Sequence, residues 1–212
     1  MHFIAVMSIR KVQNSIKRRR GSKALIVLPF PVSPTLRLAQ LSPGPKFAGV
    51  EPLVLKRWSD LANFAPNVVV GSLIEMQRLA EQRKADGLDV SSIDRALVLL
   101  TSFGSKPLSD VARVGLWQAF GVPIFELYLG LDQTLLASEC EAHEGWHLSP
   151  GIDSVTLENG ELILEGAGNS GLRTGLRASM DRTTCPCGLG TTRVLNVEQL
   201  RRLDGRYLAV TA

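Results

Sequence analysis

The chain has 212 residues, of which 45% are hydrophobic and 21% charged, enough to bury a full core in one large domain or two small ones and too apolar for an extended disordered chain. No apolar run approaches the roughly 20 residues that cross a bilayer. The charges near the N-terminus follow the short stretch MHFIAVM instead of preceding it, which excludes a secretory signal. Three cysteines are an odd number and too sparse for a disulfide framework, which places the chain in a reducing cytoplasm.

The net charge of +4 is unevenly spread: Arg10 to Lys23 carry seven basic side chains and no acid. Ser8 to Arg20 reads as a short basic helix with Ile9, Val12 and Ile16 at helical spacing, ended by Gly21. Such a segment can meet phosphate or anionic lipid, but no aromatic residues interleave with the basic ones, and a solvated arm over residues 1–24 is the expectation, with no nucleic-acid role.

Lys23 to Phe30 is a short apolar run, expected as a strand that stops at Pro29 and Pro31, and Pro31 to Pro52 reads as a long irregular connection. A helix is expected over Pro52 to Phe64, with Leu53, Leu55, Trp58 and Leu61 on one face. A strand follows at Asn67 to Gly71, then a helix capped by Ser72 and running to about Ala85. Ala96 to Thr101 is the next strand, Ser109 caps the next helix, and Val122 to Tyr128 is a further strand. Strand and helix alternating with short links mean an α/β fold, a parallel sheet with flanking helices over residues 25–135, in which ligands collect at the carboxyl ends of the strands. From 136 to 212 the pattern changes to short strands and turns, a small antiparallel β unit in which Asn159-Gly160 marks a hairpin and Gly166 to Gly171 a plain turn.

Gly121 to Leu148 organises the rest, because it joins a buried strand to a tyrosine, an acid, a cysteine and two histidines. Cys140, His147, Cys185 and Cys187 offer the four thiolate and imidazole donors of a closed structural zinc site, spaced Cys-x6-His and Cys-x-Cys. Three unligated thiols with surface histidines are the alternative. His143 competes with His147, and His147 is preferred for its apolar neighbours Trp146 and Leu148. Glu139 and Glu141 read as solvated acids, and the reading of Cys140 as a catalytic nucleophile is the weaker one, because Cys185-Pro-Cys187 accounts for the same residues better.

Six motifs in order, from about Asn67 to Arg193, resemble the later half of the large domain of adenylate-forming enzymes of the phenylacetate–CoA ligase type. Phe103-Gly-Ser-Lys-Pro-Leu-Ser stands where that family has an adenine-holding Gly-Gly-Glu-Pro-hydrophobic-Ser loop. Tyr128-Leu-Gly-Leu-Asp132 stands for Tyr-Gly-x-Thr-Glu, Ser138-Glu-Cys140 and Gly145-Trp-His147 follow, and Gly160-Glu-Leu-Ile-Leu precedes Arg173-Thr-Gly-Leu176, in place of Arg-Thr-Gly-Asp. Cys185 to Gly188 closes the series. The resemblance implies ATP-dependent activation of a carboxylate for transfer to CoA or a carrier. Gly104, Ser105, Lys106, Pro107, Tyr128, Asp132 and Arg173 would then face ATP or AMP and Mg²⁺. The departures are Leu176 for the ribose-binding aspartate, Lys106 for a glutamate, and Leu131 and Asp132 for Thr and Glu. No Ser/Thr/Gly-rich phosphate loop lies upstream, and the chain stops at Ala212, where the family's lysine-bearing small domain would begin. The expectation is therefore a ligase-like protein that is incomplete in this chain, with no confident catalytic residue and a separate chain supplying missing parts. The alternative is a catalytically inactive, zinc-stabilised binding or assembly module.

Overall fold

A computed structural model describes residues 25–166, 169–189, 192–203 and 206–209. The basic segment expected over Ser8 to Arg20 lies outside them. The described strands are β1 (Leu38–Gln40), β2 (Leu53–Val54), β3 (Val68–Gly71), β4 (Ala96–Ser102), β5 (Ile124–Leu129), β6 (Leu135–Ser138), β7 (Trp146–Leu148), β8 (Ser154–Glu158), β9 (Glu161–Gly166), β10 (Asn169–Asp181), β11 (Arg193–Leu203) and β12 (Arg206–Ala209). The described helices are α1 (Trp58–Phe64), α2 (Leu73–Asp86) and α3 (Asp110–Phe120). All twelve strands join one mixed sheet in the order β2-β1-β3-β4-β5-β6-β7-β11-β10-β9-β8, with β12 paired to β11. The chain is α/β, as the alternation of strand and helix predicts.

The first five strands are parallel. Ser72 caps α2 by accepting from the Glu75 amide while Glu75 reaches back to the Ser72 amide at 2.7 Å, a capping box. Ser109 accepts from the Ala112 amide and starts α3 in the same way, and Gly121, at φ +70, ends it. The three helices share one face of the sheet: Leu61, Met76, Leu79 and Leu116 bury Val69, Leu97, Leu99 and Ile124. The opposite face is covered by an irregular segment, with Ile26, Leu28, Phe30 and Phe47 lying over Val68, Val98, Phe125 and Leu127.

That arrangement corrects three expectations. In the segment expected as a strand over Lys23 to Phe30, Ile26, Leu28 and Phe30 lie over the sheet, and among the described residues its one pairing is a bridge from Ile26 to Phe47, since Pro29 and Pro31 lack the amide a ladder needs. The irregular connection contains β1, an inner strand between β2 and β3 whose three residues are too short to show a period. The helix expected from Pro52 begins only at Trp58, because Leu53 and Val54 pair with Ala39 and Gln40 as an edge strand.

β5 pairs in parallel with β4 and antiparallel with β6, so it is where the sheet changes character. Beyond it lie two antiparallel meanders, β5-β6-β7 and β8-β9-β10-β11, with Asn159 (φ +52) and Gly160 (φ +80) forming the two-residue hairpin turn the sequence predicts between β8 and β9. The glycine-rich stretch from Gly166, expected as a plain turn, leads at Asn169 into the 13-residue β10, whose register against β9 shifts twice. Gly171 and Gly175 take left-handed φ there, so bulge glycines inside a strand imitate a turn. Among the described residues the two meanders share two backbone pairs, Arg193 with His147 and Val194 with Trp146. Tyr128, Leu136, Trp146, Leu162, Leu164, Leu176 and Val194 form the core beneath that seam.

Gly145 is what lets the seam close. It sits at φ +90, and a Cβ there would lie 2.7 Å from the Val194 carbonyl oxygen and 2.4 Å from a Leu195 methyl. Gly145→Ala is expected to destabilise the fold by about 2 kcal/mol or more, read as a lower urea midpoint, because both backbone strain and overlap oppose it. The same substitution at Gly87, also left-handed but with open space around it, is expected to cost about half that.

Candidate metal centre and strand-end loops

Cys140 follows β6, His147 lies in β7, and Cys185 and Cys187 sit on the turn between β10 and β11. The seam therefore brings together two segments 45 residues apart. The four ligand atoms all lie within 4.8 Å of one another. Cys140 Sγ is 3.6 Å from Cys185 Sγ, and Cys187 Sγ is 3.5 Å from His147 Nε2. Four donors about 2.0–2.3 Å from a central ion at tetrahedral angles stand roughly 3.4–3.8 Å apart, so the set could hold a metal ion with little movement. Gly188, at φ +84, donates to the Cys185 carbonyl at 2.9 Å and folds the Cys-x-Cys knuckle. His143 takes no part: at φ +52 its ring turns away to stack on Phe125, 4.7 Å between centroids.

The electrostatics suit a cation. Burial, with Arg193 beside it, lowers the His147 pKa, so the imidazole is neutral and keeps a lone pair for a ligand. Burial pushes the Cys140 thiol up to about 11, while Cys185, also opposed by burial, is brought down on balance by hydrogen bonds from the Cys187 backbone and thiol. Arg193 is 5% exposed and is held by Glu144 at 2.6 Å and by Asp181. A site of three thiolates, one imidazole and a divalent ion carries one net negative charge, and this guanidinium lies against it.

The strand-end loops are the second feature. Phe103 to Ser109 leaves the carboxyl end of β4, and Gly130 to Thr134 leaves that of β5. The Phe103 amide donates to the Leu129 carbonyl at 2.7 Å, so the two loops are adjacent. Gly104, Ser105, Lys106 and Asp132 are exposed and Pro107 is buried. Asp132 accepts from the Thr134 amide at 3.1 Å and hydroxyl at 2.6 Å within its own turn. Tyr128 is 0% exposed: Trp146 stacks on its ring at 5.1 Å, Phe103 stands 6.4 Å away, and Leu176 belongs to the same core. Burial pushes its hydroxyl up to about 12, with the Gly104 backbone facing it. Arg173 stays on its own hairpin, paired with Glu158 at 2.7 Å and with buried Glu161 at 2.6 Å. The structure thus brings Gly104 and Tyr128 together and leaves Arg173 on a separate ion pair.

Sequence reasoning missed Glu126, whose signal was an acid inside the apolar strand Ile-Phe-Glu-Leu-Tyr-Leu. It also misread Glu139, expected in solvent and found 6% exposed; Glu141 is exposed as expected. Glu126, 2% exposed, accepts from the Thr101 hydroxyl and from the Leu108 amide at 2.8 Å. Glu139 accepts from the Glu126 amide at 2.7 Å and pairs with Arg113 of α3 at 2.5 Å. Burying an acid is costly unless donors await it, and an amphipathicity reading of Ser-Glu-Cys cannot see Arg113.

No protein-family model matches the chain, and no curated protein matches it. Solved structures do. An open conformation of 2-hydroxyisobutyryl-CoA ligase, in complex with 2-HIB-AMP and CoA, superposes with a TM-score of 0.60 at 11% identity, over 82% of this chain and 51% of that one. A mutant form of coronafacic acid ligase from Pectobacterium brasiliense gives 0.52 at 14% identity over 76% and 36%. The anthranilate CoA ligase AuaEII in complex with anthranoyl-AMP gives 0.52 at 12% over 76% and 37%. The chain shares its fold with part of each of these ligases, and it spans about half their length or less.

Burial is the first cause that raises the Glu126 pKa above its ordinary 4.5, opposed by the bonds from Thr101 and Leu108 and reinforced by Glu139. The stability that this carboxyl contributes is full below its ordinary value and is lost as pH rises through the raised one. Wild type is therefore expected to gain stability relative to Glu126→Gln as pH falls from neutrality toward the ordinary value of 4.5, measured as the difference between their urea midpoints.

Proposed function

We propose that this chain is an adenylate-forming ligase-like protein of the phenylacetate–CoA ligase type, engaged in ATP-dependent activation of a carboxylate for transfer to CoA or a carrier. The observation that carries the reading is the pair of adjacent loops, Phe103 to Ser109 and Gly130 to Thr134, at the carboxyl edge of parallel strands. They lie on a fold shared with CoA ligases, and that edge is where open α/β sheets bind ligands. Gly104, Ser105, Lys106 and Pro107 line the adenine side with Tyr128 behind them, Asp132 is the magnesium ligand, and Arg173 flanks the ribose. A separate chain or segment supplies the remaining phosphate and catalytic groups. The division at residue 135 separates the loop-bearing subdomain from the β subdomain. Three free thiols support a cytoplasmic setting.

In this reading Cys140, His147, Cys185 and Cys187 hold zinc. Its contribution is structural: with four protein ligands no position is open for water or substrate. One zinc per chain is expected in purified protein by elemental analysis. Cys185→Ser is expected to lower the content to about a tenth or less, and chelation is expected to unfold the seam, read as a change in tryptophan fluorescence that is absent when Trp146 is replaced by Phe.

A second reading, a catalytically inactive zinc-held binding module, is favoured by the burial of Tyr128 against Trp146 and Leu176. Leu176 accepts no hydrogen bond, and a base stacking on Tyr128 would have to displace core side chains. Calorimetry with ATP and AMP, with and without Mg²⁺, separates the two. The ligase reading expects micromolar Mg²⁺-dependent binding that Asp132→Ala weakens about tenfold. Silence at millimolar nucleotide, with zinc bound, selects the module.

A further inference from the structure

On one face of β5 the side chains of Ile124, Glu126 and Tyr128 follow one another. Ile124 belongs to the core under the helices and Tyr128 to the core under the seam, so Glu126 stands between the two cores. Its Oε1 receives both the Thr101 hydroxyl and the Leu108 amide, the latter at the far end of the Phe103 to Leu108 loop. Behind it, Glu139 holds the Glu126 backbone from both directions: its carboxylate accepts from the Glu126 amide at 2.7 Å, and its own amide donates to the Glu126 carbonyl at 3.0 Å. Arg113 completes the group by pairing with Glu139 at 2.5 Å and donating to the Ile124 carbonyl at 2.7 Å. Glu139 is followed directly by Cys140, the first residue of the candidate metal set.

We propose that Glu126 and Glu139 are positioning residues that form a relay, fixing the 103–108 loop to the segment that carries Cys140. The relay deepens the ligase-like reading, since it makes the geometry of the presumed adenine loop depend on that of the Cys140 segment. The physical reason is the burial of both carboxyl groups. Glu126 accepts from one hydroxyl and one backbone amide, and Glu139 accepts from one backbone amide and from the Arg113 guanidinium, bonds whose loss would leave buried polar groups unmet. Moving Cys140 moves Glu139, moving Glu139 shifts Glu126, and Leu108 follows. The loop is also held at its start by the Phe103 amide, which donates to the Leu129 carbonyl at 2.7 Å, and by Gln199, which donates to the Gly104 carbonyl at 3.1 Å from an exposed position. An exposed neutral bond contributes less than a buried one to a carboxylate, so the inner relay sets the loop.

Hydrogen exchange followed by mass spectrometry on the full chain tests this. Glu126→Leu is expected to speed exchange over 103–108 about tenfold or more, while Glu126→Gln, which keeps the acceptor for Leu108, restores protection to near wild type. Glu139→Leu is expected to speed exchange in the same segment, although Glu139 makes no bond to it. Protection at Val68–Gly71 is the control that each variant is folded. Unchanged exchange over 103–108 in Glu139→Leu overturns the relay, as does failure of Glu126→Gln to restore what Glu126→Leu removes. None of these readouts needs nucleotide, so absent ATP and AMP binding by wild type would sink the ligase-like reading and leave the relay standing.

Discussion

All six residues of β5 are buried, on both faces and against both neighbours, and the rest of the molecule is arranged around that fact. Phe125, Leu127 and Leu129 fill the core beneath the irregular N-terminal segment, while Ile124 and Tyr128 fill the cores beneath the helices and the seam. A strand that is parallel on one side and antiparallel on the other cannot slip by a single residue without turning three cores inside out. Glu126 fixes the register further, because its carboxylate has donors in only one position. A buried acid is a poor source of net stability, but it is a strong discriminator among alternative alignments.

The second constraint is the narrowness of the seam. The sheet is wide, yet its two antiparallel meanders share only two residue pairs, and those carry Trp146, His147, Arg193 and Val194. Side-chain chemistry also spans the join: the packing of Trp146 with Val194 in one core, the bond from Arg193 to Glu144, and the cluster of three thiols and one imidazole. A metal ion held by these four residues would do here what the backbone ladder of a longer pairing does elsewhere. The same reasoning explains why Gly145 is bare, since the two backbones approach more closely there than a side chain permits.

Much of this was legible in the sequence. The capped helices and the strands β3, β4 and β5 announce themselves by Ser72, Ser109, Gly121 and unbroken apolar runs, and Asn159-Gly160 is a hairpin turn that few other dipeptides make so well. The four donors Cys140, His147, Cys185 and Cys187 were grouped by chemistry alone, although the seam that gathers them was not visible. What stayed hidden depends on tertiary partners. β1 is a strand because it lies between β2 and β3, and β2 because it lies beside β1, while Ile26, Leu28 and Phe30 are apolar for reasons of cover, not of pairing. β10 conceals its length behind Gly171 and Gly175. Glu126 and Glu139 looked like ordinary acids because their partners, Arg113, Thr101 and the Leu108 amide, come from elements whose meeting no local pattern records.

The position of β11 also has a consequence in time. It is the strand that closes β7, yet Cys185 follows Cys140 by 45 residues. At a synthesis rate of about 5–20 residues per second, a nascent chain would hold β7 as a bare edge for on the order of several seconds before its partner leaves the ribosome. Hairpins such as β5-β6 and β8-β9 form in microseconds, so they are complete long before the join. An open edge beside a tryptophan invites the wrong neighbour. β7 is only three residues long, with the charge of Glu144 just ahead of it, and so offers little ladder for another chain to copy while it waits.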